Sequence, residues 1–504
     1  MGKIRAAPGG AVIEKGLGYL LLKPDRVFLN SISSEGNIMR HFLVLLLLVS
    51  YATVMGCGSS SGGGGGGTTQ PEAPPVVFIP MTTAAANSEI GITDGTEVGT
   101  YLVKDINPGT SVGEGTVAIA RDSAMIGSIM YFYSRSPNGR ELFKSDGTEA
   151  GTVMVKDINP GLADAFPKHF AVLGTTLFFA AQDGTNGQEL WKSDGTEAGT
   201  VMVKDINPGG DASIDYMTAF NGAVYFRAND GTNGTELWKS DGTDAGTVMV
   251  ANINAGAASS NPRTLAIVGS TLFFSAQNGT NGDELWKTDG TGAGTTLVRD
   301  VNPGANSSQI DDIVSFNGAA YFRADDGTNG SELWKSDGTN GGTVRVTDIN
   351  PAGSSGITNV TVAGNTMFFV GNDGVNGAEL WGSDGTGAGT VMLKDIDPGG
   401  SSFPSRLTAF GSTLFFRAED DGTYGRELWK SDGTAAGTVM VKDINPGGGN
   451  SSIYSILVLP TKGIVFGATN GTDGTEPWFS DGTEANTYMI KDCYVGAESG
   501  WWED

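Results

Sequence analysis

The chain has 504 residues, among them 78 glycines, 19 prolines, two cysteines and two histidines, and it carries a net charge of −25 at pH 7. That charge repels phosphate polymers and excludes a nucleic-acid partner. Two cysteines rule out a disulfide framework or a cysteine zinc cluster, and two histidines leave little imidazole chemistry. Glycine stands at about twice its ordinary share; with 39% hydrophobic and 9% aromatic residues, this composition describes an acidic, glycine-rich, ordered β protein.

From the N-terminus, the first signal is an apolar run at Phe42–Val49, extended weakly to Gly56. It is too short to span a hydrocarbon core of about 30 Å. Met39-Arg40-His41 precedes it and Val54-Met55-Gly56-Cys57 ends it, the layout of a secretory signal with a small residue at the cut. The cysteine makes this string similar to a bacterial lipobox, which implies lipidation of Cys57 as the first mature residue. Residues 1–38 are too long and too mixed in charge for an n-region, so we expect Met39 as the initiator and 1–38 as a mis-assigned start, with 39–56 as the signal peptide. Gly58 after the cysteine resembles the sorting default of outer-membrane lipoproteins. Without residues 1–56, which hold six basic and three acidic residues, the net charge deepens from −25 to −28. Residues 57–75, with Gly62–Gly67 followed by a proline-rich end, read as a tether reaching roughly 20–25 Å.

Residues 76–504 are a single repeat domain. Asp-Gly-Thr recurs at Asp94, Asp146, Asp194, Asp241, Asp289, Asp337, Asp384, Asp432 and Asp481, at spacings of 47 to 52 residues. One period holds four strand signals. In the unit around Trp238 they are Tyr216–Phe220, Ala223–Ala228, Glu236–Lys239 and Thr247–Val250. Asn221-Gly222 between the first two is a strong hairpin signal, whereas Gly174-Thr175, Gly269-Ser270 and Gly411-Ser412 suit the mirror turn with glycine first. No segment has a sustained helical period. Second strands such as Leu177-Phe178-Phe179 read as continuous apolar runs, as strands buried on both faces do. Four antiparallel strands per period of about 48 residues match a propeller blade. The expected fold is an all-β toroidal β-propeller of eight or nine four-stranded blades.

The string Glu189-Leu-Trp-Lys-Ser-Asp-Gly-Thr-Glu-Ala-Gly-Thr200, followed by Val201-Met-Val-Lys-Asp-Ile-Asn-Pro-Gly209, resembles the bacterial ELWxxDGT repeat family over roughly residues 76–492. The resemblance implies architecture and brings no established activity. Eight units are complete. Ahead of them, Val76–Pro80 and Glu89–Asp94 align with second and third strands only. Trp501-Trp502-Glu503-Asp504 lies where a first strand normally begins, so the C-terminal residues are expected to complete the N-terminal blade and close a ring of nine. Eight blades with a separate partial unit is the competing count.

Site candidates are sparse. Trp191, Trp238, Trp286, Trp334, Trp381, Trp429 and Trp478 share one repeat position, read as interface packing rather than sugar stacking. The Asp-Gly-Thr aspartates read as turn formers. Calcium is the sharper alternative, since hard cations take oxygen ligands; its candidates are Asp325, Asp326 and Asn329, and Glu419, Asp420 and Asp421. Arg227, Arg323 and Arg417 occupy equivalent second-strand positions and are candidates to hold an anion, although pairing with carboxylates of the adjacent blade is the preferred reading. His169 is the one histidine of the mature chain. With no nucleophile elbow, phosphate loop or zinc motif and no sequence-visible partner for Cys493, no catalytic residue is assigned and no cofactor is required. The expectation is a surface-anchored, monomeric, non-enzymatic binding or scaffold propeller of the outer membrane, held by its lipid and contacting polysaccharide or protein. The alternative is an extracytoplasmic glycoside hydrolase or lyase.

Overall fold

A computed structural model describes residues 6–7, 10–11, 75–83, 86–108, 123–496 and 499–501. Signal segment 39–56, Cys57 and most of the tether lie outside the described residues. Residues 1–52 form a unit of their own, in which Ala6–Ala7 pairs antiparallel with Gly10–Ala11.

The second unit is a β-propeller of nine blades, with no helix among the described residues. Blade 1 has three strands, Val77–Thr83, Ala86–Thr93 and Tyr101–Lys104. Blades 2 to 9 have four antiparallel strands each and span residues 123–156, 168–204, 215–251, 263–299, 311–345, 358–394, 405–442 and 456–489. Of the two expected counts, nine is the one formed.

Each blade follows from its turn chemistry and its apolar runs. In the first hairpin of blade 4, Asn221 and Gly222 both hold positive φ, 48° and 79°, as the tight hairpin requires. In blades 3, 5 and 8 glycine leads instead, Gly174, Gly269 and Gly411 lying at 62–63°. The second strand is then buried on both sides: Leu177, Phe178, Phe179, Ala180 and Ala181 are all at most 1% exposed. This burial joins the blades. Phe178 and Leu190 of blade 3 share one apolar cluster with Val224, Phe226 and Trp238 of blade 4, and Phe78 and Ile90 of blade 1 share another with Met130 and Phe132 of blade 2. At the third-strand position all seven repeat tryptophans are buried, at 5–8% exposure. Their role is packing. Where blade 1 has Gly91 instead, the Met81 side chain occupies the space, and a Cβ on Gly91 would meet it at 2.9 Å.

Third-strand lysines tie blades 2, 3, 4 and 5 each to the next: Lys144, Lys192, Lys239 and Lys287 each donate to a glycine carbonyl of the following blade's Asp-Gly-Thr turn, at 2.7–2.8 Å. Lysines outside the third strand close the ring. Lys462 of blade 9 donates to the Asp94 carbonyl of blade 1 at 2.7 Å, and Lys491 donates to the Thr100 carbonyl at 3.0 Å. Residues 499–501 run along blade 1 to the threshold of its missing first strand, and residues 502–504 lie outside the described residues.

Candidate functional site

Strands alternate in direction, so one face of the ring carries the first hairpins and the Asp-Gly-Thr turns. The other carries the loops between second and third strands and the connections between blades. Repeat chemistry fills the first face. In the turn at Asp194, Oδ1 accepts both the Thr196 amide and its hydroxyl, at 2.8 and 2.7 Å. The glycine five residues on, Gly199, lies so close that a Cβ there would sit 2.0 Å from that oxygen. Blade 9 has Asn486 in place of this glycine, and its Nδ2 donates to Asp481 Oδ2 at 2.6 Å. These carboxylates are closed inside their own turns, and the hydrogen bonds hold Asp194, Asp241, Asp289, Asp337, Asp384 and Asp432 below the usual carboxylate range.

The calcium candidates are likewise engaged. Asp326 Oδ1 accepts the amides of Thr328 and Asn329, and its Oδ2 accepts the Asn329 side chain at 2.7 Å. Asp325 accepts the Gly327 amide at 2.7 Å. Asp420 accepts from the Tyr424 and Gly425 amides, Asp421 from Thr423, and Glu419 from Arg426. Among the described residues no group of three acidic, histidine or cysteine side chains is arranged to hold a metal ion.

A third set of carboxylates was not singled out from the sequence at all. The glutamate two residues before each repeat tryptophan is fully buried: Glu189, Glu236, Glu284, Glu332, Glu379, Glu427 and Glu476, with Glu141 before Phe143 in blade 2 and Glu89 at the equivalent place in blade 1. Each of the eight of blades 2 to 9 clamps the connection to the next blade by accepting backbone amides. Glu189 takes Ile206 at 2.6 Å, and Glu284 takes Val301 at 2.6 Å and Ser308 at 3.1 Å. Burial pushes Glu141 up to about 8 and Glu189, Glu284, Glu427 and Glu476 up to about 7, and neighbouring aspartates such as Asp157 add to the rise. Those aspartates follow the fourth strands and open the connections, as in Asp157-Ile-Asn-Pro160. In Asp157, Asp205, Asp300, Asp348, Asp395, Asp443 and Asp492 the Oδ1 is buried without a hydrogen-bond partner among the described residues.

The second face is where the blades differ. In blades 3 to 8 the connection into the first strand passes through two left-handed residues three positions apart. They are Phe166 and His169, Ser213 and Tyr216, Asn261 and Thr264, Gln309 and Asp312, Gly356 and Asn359, and Phe403 and Arg406, with φ between 45° and 59°. The second of each pair sits in a β-bulge at the start of the inner strand, as the register break between Asp215 and Thr218 shows. Only one of the twelve is glycine, and left-handed backbone costs other residues roughly 1–2 kcal/mol. The strand signals in the sequence gave no sign of these bulges, because the residues there have no common type.

The three arginines stand beside these bulges. Arg227 pairs with Asp215 at 2.8 Å and Arg323 with Asp311 at 3.3 Å. Both partners lie on the first strand of the same blade, which corrects the expected pairing with an adjacent blade: the register sets Asp215 opposite Arg227 and Asp311 opposite Arg323. Asp215 also reaches His169 Nδ1 of blade 3 at 3.3 Å, and the Arg227 guanidinium lies 4.8 Å over the Tyr216 ring. Arg417 differs, since Ser405 faces it. Its Nε donates to Ser405 Oγ at 3.1 Å and its Nη1 to the Ile453 carbonyl at 3.0 Å. Burial, with Arg426 and Arg406 beside it, pushes its guanidinium below the ordinary value. Cys493 is half-buried, and burial pushes its thiol up to about 12, which suits an unreactive thiol.

No protein-family model matches the chain, and no curated protein matches it. Solved structures similar to it include a puromycin hydrolase (14% identity, TM-score 0.35, 71% of this chain and 58% of that one) and a prolyl endopeptidase (11%, 0.40, 70% and 54%). A third is the β-propeller domain of the Trilobed protease from Pyrococcus furiosus, with an open velcro topology (9%, 0.36, 66% and 100%). The chain spans little more than half the length of the two enzymes.

Proposed function

We propose that this chain is a binding or scaffold propeller held at the bacterial cell surface by a lipid on Cys57, and that it takes its ligand, a polysaccharide or a protein, on the face of the blade-to-blade connections. The observation that carries this reading is the ring of left-handed residues. The turns and third strands largely repeat their side chains, whereas here the fold holds strained backbone, and the second left-handed residue differs in every blade from 3 to 8. Strained, non-repeating positions gathered on one face are where recognition is expected to reside. The other face is spent on closed turns and lysine ties.

A thermal-shift screen of the purified chain against glycans, with calcium and chelator arms, tests the binding half. A ligand at 100 times its dissociation constant adds about 2.7 kcal/mol to native stability. A shift with a saccharide, or recovery of one defined envelope protein by cross-linking from this face, supports the reading, and silence in both overturns it. The anchor is tested separately by metabolic labelling with a fatty acid, which the Cys57→Ser chain is expected to lose together with membrane retention.

A further inference from the structure

We propose that blade 8 carries a subsite for an acidic saccharide, one bearing a uronate or a sulfate ester, formed by Arg417 and Arg426 with the rings of Phe403, Tyr424 and Tyr454. This rests on the reading of the connection face as the ligand-binding one.

The argument is a comparison of equivalent positions in blades 4, 6 and 8. Blades 4 and 6 neutralise their second-strand arginine with Asp215 and Asp311. Blade 8 keeps the arginine and replaces the acid with Ser405. Four further positions change in the same direction. The bulge residue, Tyr216 or Asp312 in the other two blades, is Arg406. The residue three before it, Ser213 or Gln309, is Phe403. In the loop between second and third strands, Asn233 or Asn329 becomes Tyr424, and Thr235 or Ser331 becomes Arg426. These four changes add cation or aromatic ring; the same loop also gains an acid, with Glu419-Asp420-Asp421 where blades 4 and 6 have Asn229-Asp230 and Asp325-Asp326.

Geometry keeps the charge of Arg417 available. Among the described residues Arg417 is bonded only to neutral oxygens, those of Ser405 and Ile453, which leaves most of its five N–H donors for a planar oxyanion. The three acids of the neighbouring loop do not reach it. Glu419 is taken by Arg426 at 2.7 Å, while Asp420 and Asp421 turn back to amides of their own loop. Arg426 also lies 5.9 Å over the Phe403 ring. Phe403, Tyr424 and Tyr454 are 56%, 42% and 36% exposed, rings against which the apolar face of a sugar packs. The net charge of −25 disfavours a densely charged phosphate polymer, whereas a glycan with spaced charges meets this local cation patch.

The test is isothermal titration of the full chain with oligogalacturonate, dextran sulfate, neutral dextran and poly-glutamate. One of the two acidic glycans is expected to bind, which distinguishes carboxylate from sulfate ester, with the neutral and peptide polymers at least tenfold weaker. Ser405→Asp, which installs the pair of blades 4 and 6, is expected to weaken that binding at least tenfold while the melting temperature holds or rises; Arg417→Met is expected to weaken it as well. Unchanged affinity in Ser405→Asp, equal binding of poly-glutamate, or failure of both acidic glycans overturns the subsite. If a neutral glycan or a protein still binds this face in those last cases, the binding function stands and only this inference fails.

Discussion

The Thr82 amide donates to the Gly500 carbonyl at 2.8 Å, joining the second strand of blade 1 to the last residues of the chain. The bond repeats, across the ring closure, the one from Asp325 to Ser308 inside the ring. Beside it Trp501 is 1% exposed, among Ile79, Leu459 and Val465. It rests on Gly467, where a Cβ would meet the indole at 2.6 Å. Trp501→Ala is therefore expected to cost about 3–5 kcal/mol, read as a lower denaturant midpoint. Hydrogen exchange should rise first in Val77–Thr83 and Ile456–Leu459. Exchange that rises evenly around the ring would mean that the closure is no weaker than the other interfaces.

The buried glutamates set a pH dependence with a definite sign. Their carboxyl groups titrate at about 7 to 8 in the folded chain and near 4.3 when unfolded. The stability they contribute is full below the unfolded value and is lost as pH rises through 7 to 8. Aspartates held low, such as Asp183 and Asp230, act oppositely and lose their contribution as pH falls below about 3.8. The melting temperature is expected to peak between pH 4 and 6 and to fall steadily towards pH 8. A flat profile from 5 to 8 would mean that the glutamates titrate normally.

The closed turns predict indifference to calcium. Asp241→Ala removes the acceptor of the Thr243 amide and hydroxyl and should lower the melting temperature. Neither calcium nor a chelator should change the unmodified chain or the size of that loss. A calcium-dependent rise that Asp241→Ala abolishes would make the turn a cation site.

Thr264 is β-branched and left-handed, with φ 52°, the least favourable kind of residue for that backbone. Asn359 holds the equivalent place in blade 7. Thr264→Asn is expected to raise stability by about 0.5–1 kcal/mol, measured by urea denaturation. No gain would mean that the hydrogen bond from Thr264 Oγ1 to the Arg263 carbonyl offsets the strain.

Local chemistry made the architecture legible before any coordinates. Asn221-Gly222 requires a tight hairpin, Leu177-Phe178-Phe179 requires burial on both sides, and nine copies of Asp-Gly-Thr mark nine turns. The tryptophans and turn aspartates were read correctly for the same reason: each serves its own blade or the next one, and every copy reports the same environment. The place of Gly500 and Trp501 beside blade 1 followed from counting positions within a period, while the first strand expected to continue from them falls outside the described residues.

What the string of residues could not convey depends on neighbours distant in sequence or on backbone shape. The first glutamate of Glu-Leu-Trp-Lys looks like a solvated charge, and only the amides of Ile206 and its counterparts, brought back by the next connection, bury it. The left-handed bulges carry no common residue type, so no pattern announces them. Arg227, Arg323 and Arg417 look equivalent in the sequence; strand register sets an aspartate opposite two of them and Ser405 opposite the third, and that pairing across strands decides which arginine has no carboxylate facing it.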